Sequence, residues 1–263
     1  MPKPILTLTT DFGLSDHYVG AMKGVILGIC PEARVVDITH EIGAYDITEG
    51  GYVVSQAYRC FPKRTVHVVV VDPGVGTARR PILMEAGGQF FVAPDNGVLS
   101  MIYSREKHKI RLISNDKYFR KPVSHTFHGR DIFAPVAAHI AAGAPPSRVG
   151  KLIEDYLRPA FQTPVRTGKR TWNGHVLKVD RFGNIVTNYH VEEFPKLEAK
   201  NFAFGVGAQQ VAVIARNYAE TGPGELFAIV GSAGFYEISI TQQSAAKKTG
   251  CAAGSPVELT IWN

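Results

Sequence analysis

The chain has 263 residues, 45% hydrophobic and 20% charged, with a net charge of +6, which suits a soluble globular protein of one large or two ordinary domains. Its basic residues are scattered. Even the densest group, Lys107–Arg111, is no nucleic-acid arm, so no nucleic-acid partner is expected. Cys30, Cys60 and Cys251 are odd in number and lack a CxxC pair, which argues against a disulfide framework or structural zinc. Met1–Thr10 lacks the regions of a signal peptide, and no apolar run approaches the roughly 20 residues that span a bilayer. A cytoplasmic protein without a membrane partner is expected.

Ile5–Thr9 reads as a first strand that delivers Thr10 and Asp11 to a polar loop. Ser15 is a suitable N-cap for the following helix, with Asp16 favourable in its first turn. Tyr18, Met22, Val25, Ile26 and Ile29 then recur at helical spacing. Arg34–Ile38 is a second strand, leading to His40, Tyr45 and Asp46, and Ile47–Phe61 a second helix. Val66–Val71 is nearly continuous in β-branched residues, as in a strand covered on both faces. Asp72 ends it, and Pro73, Gly74 and Gly76 turn the backbone before Arg79 and Arg80. This β-α-β-α-β order implies parallel strands with right-handed crossovers.

Beyond it, Pro81–Glu85 and Gln89–Val92 form a hairpin, Val98–Tyr103 a short helix and Ile110–Ile113 a further strand. The polar loop His125–Asp131 leads into a helix over Ile132–Ala142. Pro159, Pro164 and Gly168 mark a linker. Short strands separated by turns follow, at Gly174–Val179, Ile185–Thr187, Phe202–Val206, Val211–Ile214, Leu226–Val230, Tyr236–Ile240 and Val257–Ile261. The expected fold is thus an N-terminal α/β domain (1–158) with a central, mostly parallel sheet, a linker (159–172), and a C-terminal all-β, barrel-like domain (173–263).

Asp11, Asp72 and Asp95/Asn96 each follow an apolar run, so an open α/β sheet could gather them at one edge. Asp72 could equally cap a turn. Asp11, Asp72 and His128 could hold a divalent ion, but no close ligand pair such as HxH or HExxH occurs, and no metal site is expected. Neither GxGxxG, GxxxxGK[ST] nor GxSxG is present, which disfavours a dinucleotide site, a P-loop and a nucleophile elbow. His128, beside Gly, Arg and Asp in a loop, is more suggestive than His40, His125 or His139, which read as structural. Asp180–Asn184 reads as a hairpin turn. It could instead face a ligand, with Phe182 stacking on a ring and Asn184 pairing with a base edge. Gly231–Phe235 is a second such loop.

Five segments in order, LTTDFGLSDHYVGAMKG, VDPGVGTARR, APDNGVL, TFHGRDIFAPVAAHIA and VDRFGNIVTN, resemble the adenosine-forming S-adenosylmethionine hydrolases, relatives of the bacterial fluorinase and chlorinase. The resemblance spans nearly the whole chain. It implies an α/β domain, a β-barrel domain and a homotrimer with active sites between subunits. It also implies hydrolysis of S-adenosyl-L-methionine to adenosine and methionine, with no cofactor. It places the water-handling set on Asp72, Arg79 and His128, with Arg79 orienting Asp72 and lowering its pKa. The ribose contact falls on Asp11, a neighbouring aromatic on Tyr45, the methionine-end contacts on Asp16, Asp180 and Ser232, and the adenine contacts on Phe182 and Asn184. Phe235 and Glu237 complete the implied substrate set, in a segment, GSAGFYEISIT, that has Ala233 where the fluorinase has an arginine. The halogenating relatives have other residues at the positions of Asp72 and His128, which favours hydrolysis. A chloride-dependent halogenase, a non-catalytic adenosine-binding module and a metal-dependent phosphoesterase are the competing readings.

Overall fold

The computed structural model describes residues 3–159 and 163–262, and the chain divides into two compact units, Met1–Phe161 and Gln162–Asn263. The first unit is built on strands β1 (Ile5–Thr10), β2 (Arg34–Thr39), β3 (Val66–Val70), β4 (Pro81–Ala86), β5 (Gln89–Pro94) and β6 (His108–Leu112). They lie in the order β2-β1-β3-β5-β4-β6. Strands β2, β1, β3 and β5 run parallel, and β4 pairs antiparallel with both β5 and β6. Every residue of β3 is buried, because the sheet is covered on both faces. On one face Val66, Val68 and Val70 pack with helices α1 (Tyr18–Ile29) and α4 (Ala134–Ala141) through Met22, Ile26 and Val136. On the other, Val69 packs with α2 (Ile47–Ala57) and α3 (Ser100–Tyr103) through Val54 and Ile102.

Two local expectations change. Ser15 does not cap α1: the helix starts at Tyr18 and its cap position, His17, makes no side-chain cap, while no acid stands in the first turn. The loop is instead held out by Gly13, at φ +65° and with its N–H on the His40 carbonyl (2.8 Å). The rings of Phe12, Tyr18 and Phe127 also pack together there. Helix α4 is entered through a π-turn, Gly129–Phe133, a wider turn that recurs at functional sites.

The second unit contains β7 (Val165–Arg166), β8 (Thr171–Val179), β9 (Ile185–His190), β10 (Asn201–Val206), β11 (Gln209–Val211), β12 (Ile214–Ala215), β13 (Leu226–Val230), β14 (Phe235–Ile240) and β15 (Pro256–Trp262). A short helix, α5 (Ala245–Thr249), interrupts them. The curled sheet has the order β11-β10-β15-β8-β9-β14-β13-β12, with β7 on β8. Its core is formed by Tyr189, Phe204, Tyr236, Ile238 and Leu259. Of the expected linker, residues 160–162 lie outside the described residues, and Val165–Arg166 is already strand. The expected strand Val211–Ile214 is split between β11 and β12.

The close fit of α2 against the turn between β5 and α3 depends on Gly51, where a Cβ would stand 2.8 Å from the Val98 carbonyl oxygen. Gly51→Ala should therefore lower stability by about 1–3 kcal/mol, despite alanine's better helix propensity. Urea unfolding followed by circular dichroism checks this.

Candidate active site

The carboxyl ends of β1 and β3 open on three loops. Val71 is buried at the end of β3, and its carbonyl accepts from Asn96 Nδ2 (2.8 Å). Asn96 also takes the Val98 N–H (3.1 Å), so the chain entering Asp72 is tied to the turn after β5. The next loop carries Gly76 at φ +78°, where any side chain would overlap the His125 carbonyl oxygen. That close approach sets the Asp72–Arg79 loop against the loop that carries His128.

Arg79 grips the Asp72 carboxylate with two donors, Nε to Oδ1 at 3.0 Å and Nη2 to Oδ2. The same Nη2 lies 3.0 Å from His128 Nδ1. Both side chains of the ion pair are more than nine-tenths buried, and the guanidinium stacks over Phe133. A guanidinium donates and cannot accept. His128 Nδ1 is therefore the acceptor, and an uncharged ring carries its proton on Nε2. Burial, then the charge of Arg79, hold His128 below its ordinary value. The expected lowering of Asp72 does not occur. Its hydrogen bonds to Arg79 are present, but burial outweighs them and the net direction is upward.

The turn beneath His128 is braced by Asp131, which is fully buried. Its carboxylate accepts from Arg130 Nε and Nη2 (2.7 and 2.8 Å), Ser124 N (2.9 Å) and Arg120 Nη1 (3.3 Å). Arg80 has a separate task, holding Asp95 with Nε and Nη2 (3.1 and 2.7 Å) and Asp155 with Nη1 (2.9 Å). Asp11 is half-buried, and its Oδ2 accepts from Tyr45 N (2.9 Å). Tyr45 is itself 71% exposed, at φ +67°. Asp16 is exposed. Among the described residues no group of three His, Cys, Asp or Glu side chains is placed to hold a metal, and no helix is long and apolar enough to cross a membrane.

In the second unit, Asp180 builds its own turn. Oδ1 accepts from Phe182 N and Asn184 N (2.8 and 2.9 Å), and Oδ2 from Asn184 Nδ2 (2.8 Å). Phe182 projects at 79% exposure while Asn184 is buried. Both line a cavity of about 600 Å³ with Asp180, Tyr218 and Ser244. Helix α5 locks this turn through Ala246 N to the Gly183 carbonyl (3.0 Å). Ser232 is exposed in the turn closed by Gly231 N on the Phe235 carbonyl (2.9 Å). Phe235 does not reach the cavity. It is buried with its ring against His190. Glu237 is buried, and burial, then the charge of Asp180, push it up to about 6. Tyr218 escaped the sequence reading: it belongs to no chemical motif and comes to the cavity from a segment without strand or helix pattern.

An α/β unit with an acid–guanidinium–imidazole set at its strand ends, followed by a curled β-sheet unit with a cavity lined by Phe182 and Asn184, defines a small-molecule enzyme class. Residues 6–150 match the SAM hydroxide adenosyltransferase N-terminal domain, and residues 174–258 match its C-terminal domain. The chain belongs to the SAM hydroxide adenosyltransferase family. It is 36% identical to the (R)-S-adenosyl-L-methionine hydrolase of Salinispora tropica, over 98% of both chains. Against the crystal structure of an uncharacterized conserved protein from Thermotoga maritima the TM-score is 0.89, at 40% identity over 97% of this chain and 99% of that one. The fluorinase of Nocardia brasiliensis is more distant, 27% identical over 74% of each chain.

The native pKa of His128 lies below its ordinary value, so its contribution to stability is present above roughly pH 6.5 and is lost as pH falls through the native value. ¹⁵N NMR should show an unprotonated Nδ1 at neutral pH and a midpoint below roughly 6.5. Arg79→Ala removes the nearby cation, leaves Asp72 uncompensated, and should move that midpoint upward.

Proposed function

We propose that this protein hydrolyses S-adenosyl-L-methionine to adenosine and L-methionine, by in-line attack of water on the ribose 5′-carbon. The observation that carries the reading is the Arg79 bridge between Asp72 and His128, in a chain of this family with relatives named as hydrolases of that compound. A bond forms from the water oxygen to the 5′-carbon as the carbon–sulfur bond breaks. The bonding pair stays on sulfur and turns the sulfonium into the neutral thioether of methionine. The leaving group is activated by its own charge, so the reaction needs position, a place for one proton and exclusion of competing water.

Asp72 receives the proton. Burial raises its pKa, which makes it a stronger base than an exposed aspartate. His128 offers Nε2–H to the water oxygen and fixes its direction, because its Nδ1 is engaged by Arg79. Asp11 accepts from the ribose hydroxyls beside Tyr45, and Asp16, Ser232 and Glu237 receive the methionine end. Asp180 acts chiefly by holding Phe182 against the adenine ring and Asn184 against its edge, since three of its roughly four acceptor positions are already filled.

The protein works without a metal or cofactor, in the cytoplasm, as a homotrimer with active sites between subunits. The exposed Leu14, Tyr45 and Phe182 are apolar groups suited to burial on assembly and substrate binding.

Purified protein given S-adenosyl-L-methionine and excess chloride should form adenosine. Formation of 5′-chloro-5′-deoxyadenosine would make it a halogenase, and absence of product a binding module. Asp72→Asn should lower kcat roughly 100-fold or more with substrate still bound, and unchanged turnover would remove Asp72 from the mechanism. Asn184→Ala should weaken adenosine binding by about 1–3 kcal/mol, read by calorimetry, and an unchanged Kd would show that the cavity in the second unit does not read the base.

A further inference from the structure

A chain of polar groups joins β1 to β2 and takes no part in the proposed chemistry. Lys23 Nζ lies 2.6 Å from Asp37 Oδ2, and Asp37 Oδ1 lies 3.1 Å from His40 Nε2. His40 Nδ1 lies 2.8 Å from Thr10 Oγ1, which accepts the Phe12 N–H at 3.3 Å. Thr10 is fully buried and His40 is 3% exposed. Nε2 and Asp37 meet as an ionic contact, outside hydrogen-bond geometry, whereas Nδ1 and the Thr10 hydroxyl share a hydrogen bond whose direction follows the ring's tautomer. Burial acts to raise the Asp37 carboxyl, but Lys23 and the nearby His40 ring outweigh it and hold the group below its ordinary value.

The backbone repeats the link, with Gly13 N donating to the His40 carbonyl (2.8 Å). Thr10 is thus tied to the His40 ring, Phe12 to Thr10 and Gly13 to the His40 backbone, and the residue they enclose is Asp11. The loop that supplies His40 also supplies the Tyr45 N–H to Asp11 Oδ2. Packing alone does not call for this arrangement. Apolar side chains at positions 10 and 40 would fill the same space with less desolvation. The chain supplies direction, fixing one loop whose remaining acceptor, Asp11, is only half-buried.

We propose that His40, acting through Thr10, is a positioning residue that sets the Asp11 carboxylate for the substrate's ribose hydroxyls. The proposal rests on the reading of Asp11 as the ribose contact. A carboxylate so placed should distinguish adenosine from 2′-deoxyadenosine, and a loop freed from His40 should lose that distinction while the rest of the nucleoside still binds.

Calorimetry with both nucleosides on the full chain tests this in the wild type, Thr10→Val, His40→Gln, Asp11→Ala and the Thr10→Val/Asp11→Ala double variant. Valine keeps nearly the shape of threonine, and circular dichroism verifies the fold. The wild type should prefer adenosine by roughly tenfold or more. Thr10→Val and His40→Gln should bring that preference close to the Asp11→Ala value, with 2′-deoxyadenosine, which keeps only the 3′-hydroxyl contact, weakened less than adenosine, and Thr10→Val should add nothing once Asp11 is gone. Retention of the wild-type preference in Thr10→Val, or equal weakening of both nucleosides, would overturn the proposal. A wild type without preference, or an Asp11→Ala variant that keeps it, would overturn the ribose reading and the proposal with it; those two proteins alone reveal that case.

Discussion

A guanidinium more than nine-tenths buried must be neutralised where it stands, and this requirement organises the edge of the first sheet. Asp72 supplies the charge and takes two of the donors of Arg79. The shared Nη2 then reaches His128 and decides which imidazole nitrogen is free. One cation thus fixes the direction of a base and the tautomer of a donor. Burial raises the carboxyl and, with the cation, lowers the imidazole. The two groups are pushed toward each other in pKa, which suits a site that holds a water and takes one proton from it.

Much of the surrounding structure serves to hold those atoms in place. Asn96 ties down the Val71 carbonyl just before Asp72. Gly76 lets one loop meet the His125 backbone. Asp131, fully buried among Arg120, Arg130 and the Ser124 N–H, anchors the π-turn that carries His128. The second unit uses the same device on a smaller scale, a carboxylate spent on organising a loop: Asp180 takes the N–H groups of Phe182 and Asn184 and the Asn184 amide. In both units the acid acts first on its neighbours. Such pre-organisation is what a displacement with a self-activated leaving group requires.

How far this was legible in the sequence depended on where each residue's partners lie. The valine run of β3 announces a strand buried on both faces, and the strand–helix alternation gives the parallel sheet. Asp72 and Arg79 are seven residues apart in one segment, and the resemblance selects Arg79 over Arg80 as the partner. His128 is 49 positions further on, and only the resemblance of whole motifs links it to them. Its tautomer and the upward direction of Asp72 depend on burial, which no motif encodes. Ser15 looks like a helix cap, but tertiary contacts of Phe12, Gly13 and Tyr18 delay the helix. His40 reads as structural because Thr10, its partner, lies 30 positions upstream. Tyr218 comes to the cavity from a segment with no strand or helix pattern. Phe235 belongs to the substrate set that the resemblance implies, but its strand register turns it into the core against His190.

The central claim is that water bonds to the ribose 5′-carbon at the Asp72–Arg79–His128 set. The most direct measurement is mass spectrometry of both products after turnover of S-adenosyl-L-methionine in ¹⁸O-labelled water. The account predicts adenosine carrying the heavy oxygen at its 5′-hydroxyl, with methionine unlabelled. Unlabelled adenosine, or homoserine bearing the label, would place the attack at another atom and contradict it.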